Sequence, residues 1–296
     1  MFENMRTLAK PIRYPMKLVL LLLTLTFTLQ ARDKPAYVLY NAQGKKVTYA
    51  KMIKQLQQQD VVLFGELHNN PISHWLELEI TQACAEKRKL VLGAEMLEQD
   101  NQSALTNYLQ GKITAKGLDS SARLWKNYRT DYAPLVNFAK ENNIAFIATN
   151  IPRKYASQVS KGGFESVANL SEQEKGWVAP LPIAYDANLP GYQKMLTMMG
   201  EHTSPNMPKA QAIKDATMAH FIFKNWSSGQ LFIHYNGSYH SDYHEGISWY
   251  LKRSKVDIKI GTIATVSQKE IDSLLPEHFL KADYIICVEE DMTNTY

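Results

Sequence analysis

The chain has 296 residues, 45% hydrophobic and 21% charged, with only 14 glycines and 12 prolines, which is the composition of a folded globular protein long enough for one large core. Disordered, collagen-like and low-complexity classes are excluded. Of the formal net charge of +4, Arg6, Lys10, Arg13 and Lys17 against Glu3 place most in the first 31 residues, so the remainder is nearly neutral and nucleic acid is not an expected partner.

Those four cations precede the uncharged run LVLLLLTLTFTL, residues 18–29, which ends at Gln30-Ala31 before the polar Arg32-Asp33-Lys34. This is the charged, apolar and small-residue succession of a secretory signal peptide. A bilayer span needs roughly 20 apolar residues, more than this run supplies. The sequence therefore predicts a signal peptide over 1–31 and an exported chain, periplasmic or associated with the envelope. The leader has no lipobox cysteine. Cys84 and Cys287 lie in apolar contexts and read either as one disulfide or as two buried thiols.

Residues 32–296 then read as a single α/β domain. Runs rich in β-branched residues at 61–65, 90–94, 144–149, 231–235, 259–265 and 284–288 predict strands buried on both faces, as a parallel sheet requires. Between the first two, Ile72, Trp75, Leu76, Leu78, Ile80 and Ala83 form an apolar stripe that predicts a helix over 73–88, giving one βαβ unit. The connections 95–143 and 150–229 exceed simple crossovers and carry helical periodicity, with Trp125, Tyr128, Tyr132, Leu135 and Phe138 in one and Ala212, Ala216, Met218, Phe221 and Ile222 in the other. They predict a small helical cap inserted at approximately 99–143 and 153–229. Near the end, Ser267 and Glu270 have capping-box spacing before Ile271, Leu274 and Leu275, which predicts a helix between the last two strands. The expected fold class is α/β, doubly wound, with a mostly parallel sheet and the helical cap inserted between strands.

In such sheets ligands bind outside the carboxyl ends of the strands. Four predicted strands end in polar residues: Gly65-Glu66-Leu67-His68, Gly93-Ala94-Glu95-Met96, Thr149-Asn150-Ile151-Pro152-Arg153 and Gly237-Ser238-Tyr239-His240. Two of them share Gly-x-x-His, where glycine permits a tight exit and histidine turns back over the edge. Any one of these residues alone reads equally well as a cap or a solvated polar group. Their agreement at one edge points to a site where His68, Glu95 and His240 converge.

The segments GELHNNPISHW, GAEMLEQDNQ, WKNYRTDYAPLVNFAKENN, ATNIPR, KAQAIKDATMA and NGSYH, in register from about residue 61 to 251, resemble the ChaN-like haem-binding proteins of bacteria. That family stands within the superfamily containing erythromycin esterases and Tiki or TraB proteases. The resemblance implies an α/β sheet with a helical subdomain, a role in haem or iron uptake, and a homodimer enclosing a pair of cofacial haems. An outer-membrane haem receptor or transporter would be a further partner. Family members are often lipoproteins, and the missing lipobox cysteine departs from that pattern.

Haem needs an apolar slot, an axial ligand and often cations for its propionates. Met195, Met198 or Met199, and His202 fall on one face at helical spacing, a pattern that by spacing alone is more often core than cofactor site. With the resemblance, His202, Tyr192, Met195 and Met199 become cofactor candidates, Tyr185 and Tyr132 alternative oxygen ligands, and Lys194, Arg129 and Arg153 candidate propionate partners. The rival reading is a metal-dependent hydrolase: His68, Glu66, Glu95 and His240 match the paired Gly-x-x-His and glutamate positions of the metal-dependent relatives, and His68, His240 and Glu95 could hold a divalent metal with an activated water. Asp215 could reach the same crevice or lie on a helix surface. His74 and His220 read as packed on helices, His278 as solvated, and His244 as a possible pair with His240. A carrier for soft metals such as copper ranks last, since the methionines form no dense array.

Overall fold

The central strand Val61–Glu66 is buried at every position, which is possible only if both faces of its sheet are covered. The computed structural model describes residues 34–198 and 204–296. The predicted leader with its boundary at 31, and the candidates Met199 and His202, lie outside the described residues. Among those described, seven strands are hydrogen bonded in the order β1-β7-β6-β2-β5-β3-β4.

In chain order the elements are β1 (Tyr37–Asn41), α1 (Tyr49–Leu56), β2 (Val61–Glu66), α2 (Pro71–Ala85), β3 (Lys89–Glu98), α3 (Gln102–Leu109) and α4 (Ala115–Ser121). A wide π-helical turn at Tyr128–Tyr132 leads into α5 (Ala133–Glu141), followed by β4 (Ala145–Asn150), α6 (Arg153–Gly162), α7 (Glu172–Lys175), α8 (Pro190–Met198) and α9 (Met207–Asn225). The chain closes with β5 (Gln230–Gly237), α10 (Ile247–Ser254), β6 (Ile260–Gln268) and β7 (Tyr284–Glu289). All strand pairs are parallel except β1 with β7.

Alternation along the strands divides the core into two layers. Val62 and Phe64 pack with Met52 and Leu56 of α1, Leu76 and Ile80 of α2, Leu105 of α3 and Val136 of α5. Val61 and Leu63 face the other way, onto Ala216, Ala219 and Ile222 of α9 and Ile247 and Leu251 of α10. Helices thus cover both faces, the doubly wound α/β arrangement. The connection 99–143 contributes α3 and α5 to the first layer, and 153–229 contributes α9 to the second. Helix α2 begins where its sequence dictates: Asn70 accepts from the backbone N–H groups of Ile72 and Ser73, both at 3.0 Å, and Pro71 occupies the first turn.

Two features differ from the sequence reading. Strand β1 adds an antiparallel edge, Tyr37 to Asn41 pairing with Val288 to Tyr284. The helix expected over 271–275 does not form. Strand β6 continues through Ser267 to Gln268, and the Gln268 amide donates to the carbonyls of Glu270 and Ser273 while accepting from Leu275 N–H. One side chain therefore satisfies backbone groups that a helix would have paired internally, and Ile271 and Leu274 are buried against Tyr40. Cys84 and Cys287 are both buried free thiols, in separate clusters. At the opposite edge, β4 pairs only with β3, and its outward groups meet the side chain of Gln102, which donates to Phe146 O (3.2 Å) and accepts from Ala148 N–H (2.7 Å).

Candidate functional site

The neighbours β2, β5 and β3 present their carboxyl ends side by side. Strand β3 loses regular register between Ala94 and Glu98, which frees Glu95 from the ladder with β4. Its Oε2 accepts the Gly237 backbone N–H at 2.8 Å, and its Oε1 lies 3.0 Å from His240 Nε2. The other His240 nitrogen, Nδ1, is 2.5 Å from Asp215 Oδ1, and Asp215 Oδ2 accepts from the Tyr192 hydroxyl at 3.0 Å. Gly237 is required by space: a Cβ there would stand 2.7 Å from His68 Nε2 and 3.6 Å from Glu95 Oε2. His68 and Glu95 therefore meet at Gly237, and Glu95 carries the contact on to His240.

Burial disfavours a charged imidazole at His240, but Glu95 and Asp215 outweigh it and raise its pKa to about 9. Burial likewise pushes the Glu95 carboxyl up, and His240, His68 and Lys214 reverse this, holding it well below the usual carboxylate range. Asp215 is raised by burial, which its contacts with His240 and Tyr192 only partly offset. His68 is anchored at Nδ1 by Glu66 Oε1 (2.6 Å), the same oxygen that accepts from Tyr132 OH (2.6 Å), and Trp125 packs edge-on against its ring. Burial opposes its charge, but Glu66 and Glu95 raise its pKa on balance.

Above this edge is a pocket of about 630 Å³. Its floor carries Glu66, His68 and His240; Leu67, Val266, Met195 of α8 and Met207 of α9 supply apolar walls, and Tyr239, His278 and Lys281 complete it. The methionine-bearing helix and the strand ends, read from sequence as two sites, contribute to the same cavity.

The remaining candidates scatter. The Tyr192 ring is buried, its hydroxyl is engaged by Asp215, and Tyr185 stacks on it with centroids 5.6 Å apart. Arg153 lines a separate groove with Glu98, Arg123 and Trp125. Arg129 pairs with Asp119 at 2.7 Å, and Lys194 borders a small cavity with Tyr192 and Met195. His244 turns away from His240, its Nε2 3.7 Å from Asp283. His278, read as solvated, instead lines the pocket with its side chain 13% exposed. Sequence reasoning missed Met207, Asp242 and Lys281. Lys281, in the loop before β7, pairs with Asp242 at 3.1 Å and carries no local motif.

The family model described as haem-binding uptake, Tiki superfamily, ChaN matches residues 52–251, more than half of the chain. The chain belongs to the ChaN family. The solved structure of cofacial heme binding to ChaN of Campylobacter jejuni matches with a TM-score of 0.66 at 18% identity, covering 87% of this chain and 99% of that one, so the ChaN fold is shared almost throughout. A succinoglycan biosynthesis protein gives a TM-score of 0.49 at 11% identity over 86% of this chain and 94% of its own. By sequence, the chloroplastic protein RETICULATA-RELATED 5 of Arabidopsis thaliana is 30% identical over 128 residues, 40% of this chain. The chain spans 17% of the length of that curated relative.

Proposed function

We propose that this ChaN-family protein is an exported, periplasmic or envelope-associated haem-binding protein acting in haem or iron uptake, and that haem occupies the pocket between α8 and the strand ends. The observation that carries this reading is that Met195 and Met207 line one cavity of about 630 Å³ together with His68. The size lies within the ordinary range for small-molecule sites. The donor set fits haem: Leu67, Val266 and two methionines give apolar, polarisable walls, Lys281 adds a cation to the lining, and Glu66 fixes His68 Nδ1, so Nε2 is the nitrogen left for an iron. When bound, haem would supply an iron that accepts a nitrogen, sulfur or oxygen donor. His68 would hold it through Nε2, and Met195 and Met207 would exclude water from the pocket. His202 is the second imidazole candidate. A second copy covering the open pocket would bury the exposed side of the haem, linking binding to homodimerisation. The basic and apolar leader supports export, and an outer-membrane receptor or transporter is the partner such a role calls for.

Absorbance titration with haemin tests the proposal. A shifted Soret band saturating near one haem per chain is expected, together with movement from monomer toward dimer in sedimentation. His68→Ala should weaken both. Loss of binding in His202→Ala alone would move the ligand to the cap segment. No Soret shift in the wild type would refute haem binding, and a metal lost with Glu95→Gln would favour hydrolytic chemistry at His68, Glu95 and His240.

A further inference from the structure

Behind the pocket floor, where α2 meets the end of β2, lies a second ionisable group that the haem reading does not use. Glu66, His74, Glu77 and Asp131 are all buried, none more than 7% exposed. Among the described residues, the ion pairs of these carboxylates run to histidines alone. Burying several carboxylates without a cation is costly.

The hydrogen bonds show where a cation is called for. Glu66 Oε1 is already taken by Tyr132 and His68, whereas Glu66 Oε2 and Glu77 Oε1 are buried with no hydrogen-bond partner. His74 Nε2 lies 3.1 Å from the backbone carbonyl oxygen of His68, which can only accept, so this nitrogen carries the hydrogen. In the neutral ring the lone pair is then at Nδ1. That atom faces Glu77 Oε2 at 3.3 Å and Glu66 Oε2 at 3.6 Å. Glu77 Oε2 is within hydrogen-bond reach of that nitrogen, whereas Glu66 Oε2 is not and stays unpartnered beside both atoms. Their spacing exceeds the roughly 2.7–2.9 Å of charge-assisted hydrogen bonds. It approaches the edge of about 3.3 Å in a tetrahedron whose ligands stand about 2.0–2.1 Å from zinc. One ligand atom from each of Glu66, His74 and Glu77 lies within 4.8 Å of the other two. A ligating histidine that donates its other N–H to a backbone carbonyl is the usual outer-shell arrangement of such sites.

We propose that Glu66 Oε2, His74 Nδ1 and a Glu77 carboxylate oxygen bind one divalent transition-metal cation of the zinc type. The ion ties α2 to the end of β2 and fixes the carboxylate that orients His68. This site is distinct from the strand-end group of Glu95 and His240, and it does not require haem to bind.

The test uses the whole protein, stripped with chelator, loaded with zinc chloride and desalted. Wild type and Glu95→Gln are expected to retain one zinc per chain and to melt at a higher temperature with zinc than without. Glu77→Gln should lose the ion and the rise in Tm. The proposal is overturned if the wild type retains no zinc, if Glu77→Gln retains it, or if Glu95→Gln loses it. Should Glu77→Gln fail to fold, anomalous scattering at the zinc edge from wild-type crystals decides. A peak between Glu66, His74 and Glu77 is expected, and a peak beside Gly237 or none at all overturns the assignment.

Discussion

The raised pKa of His240 translates directly into folding stability. Its side chain is 6% exposed and lies between Glu95 and Asp215, so solvent screening does little to weaken the pairing. Raising its pKa from the ordinary 6.5 to about 9 corresponds to about 3 kcal/mol of folding stability. Because the folded value is the higher, that contribution is complete below pH 6.5 and disappears as pH rises through 9. His240→Asn removes the titration and leaves two buried carboxylates without their cation, at a cost of about 3–5 kcal/mol near pH 6. Urea denaturation followed by circular dichroism, on both proteins from pH 6 to pH 10, reads the effect. The stability difference between them should shrink by about 3 kcal/mol across that range. Burial pushes the thiols of Cys84 and Cys287 up to about 12, which also lowers stability at alkaline pH, but equally in both proteins. A difference independent of pH would refute the raised pKa of His240 and with it the pairing to both carboxylates.

Gly237→Ala would bring a methyl group to 2.7 Å from His68 Nε2; we expect a loss of about 1–3 kcal/mol in denaturation and weaker haemin binding, and an unchanged haemin affinity would place the haem elsewhere. Tyr192→Phe removes the hydrogen bond to Asp215 and should cost about 1–2 kcal/mol while leaving the haem spectrum unaltered; an altered Soret band would make this phenol a ligand after all. Cys84 and Cys287 should resist a thiol-titrating reagent in the native protein and both react in denaturant, and rapid native labelling would contradict their burial.

Much of this architecture is written locally. Runs such as Val61-Val62-Leu63-Phe64 admit few placements other than a strand covered on both sides, and once parallel strands are granted, the residues following them must gather at one edge. That logic places His68, Glu95 and His240 together without any knowledge of distances. It does not see side-chain substitution for backbone pairing, which is why a capping-box spacing at Ser267 and Glu270 suggests a helix where Gln268 instead holds a loop. Nor does it see β1, whose five residues gain their partner only from the far end of the chain. His74 and Glu77 read as ordinary helix residues; only the pairing of His74 Nε2 with His68 O shows that Nδ1 is the nitrogen left for Glu66 and Glu77. Lys281 reaches the pocket through loop geometry that no periodicity encodes.

The amide of Gln102 has a consequence beyond its two hydrogen bonds. A strand at the rim of a sheet is a template onto which another chain can add its own backbone, and it invites fibre growth. A primary amide carries the same donor and acceptor as a peptide group, so Gln102 occupies the ladder positions at Phe146 and Ala148 as a one-residue counterfeit strand. Extension of the sheet from that rim is blocked at its centre, because another strand could pair with β4 there only by first displacing the Gln102 amide from both positions.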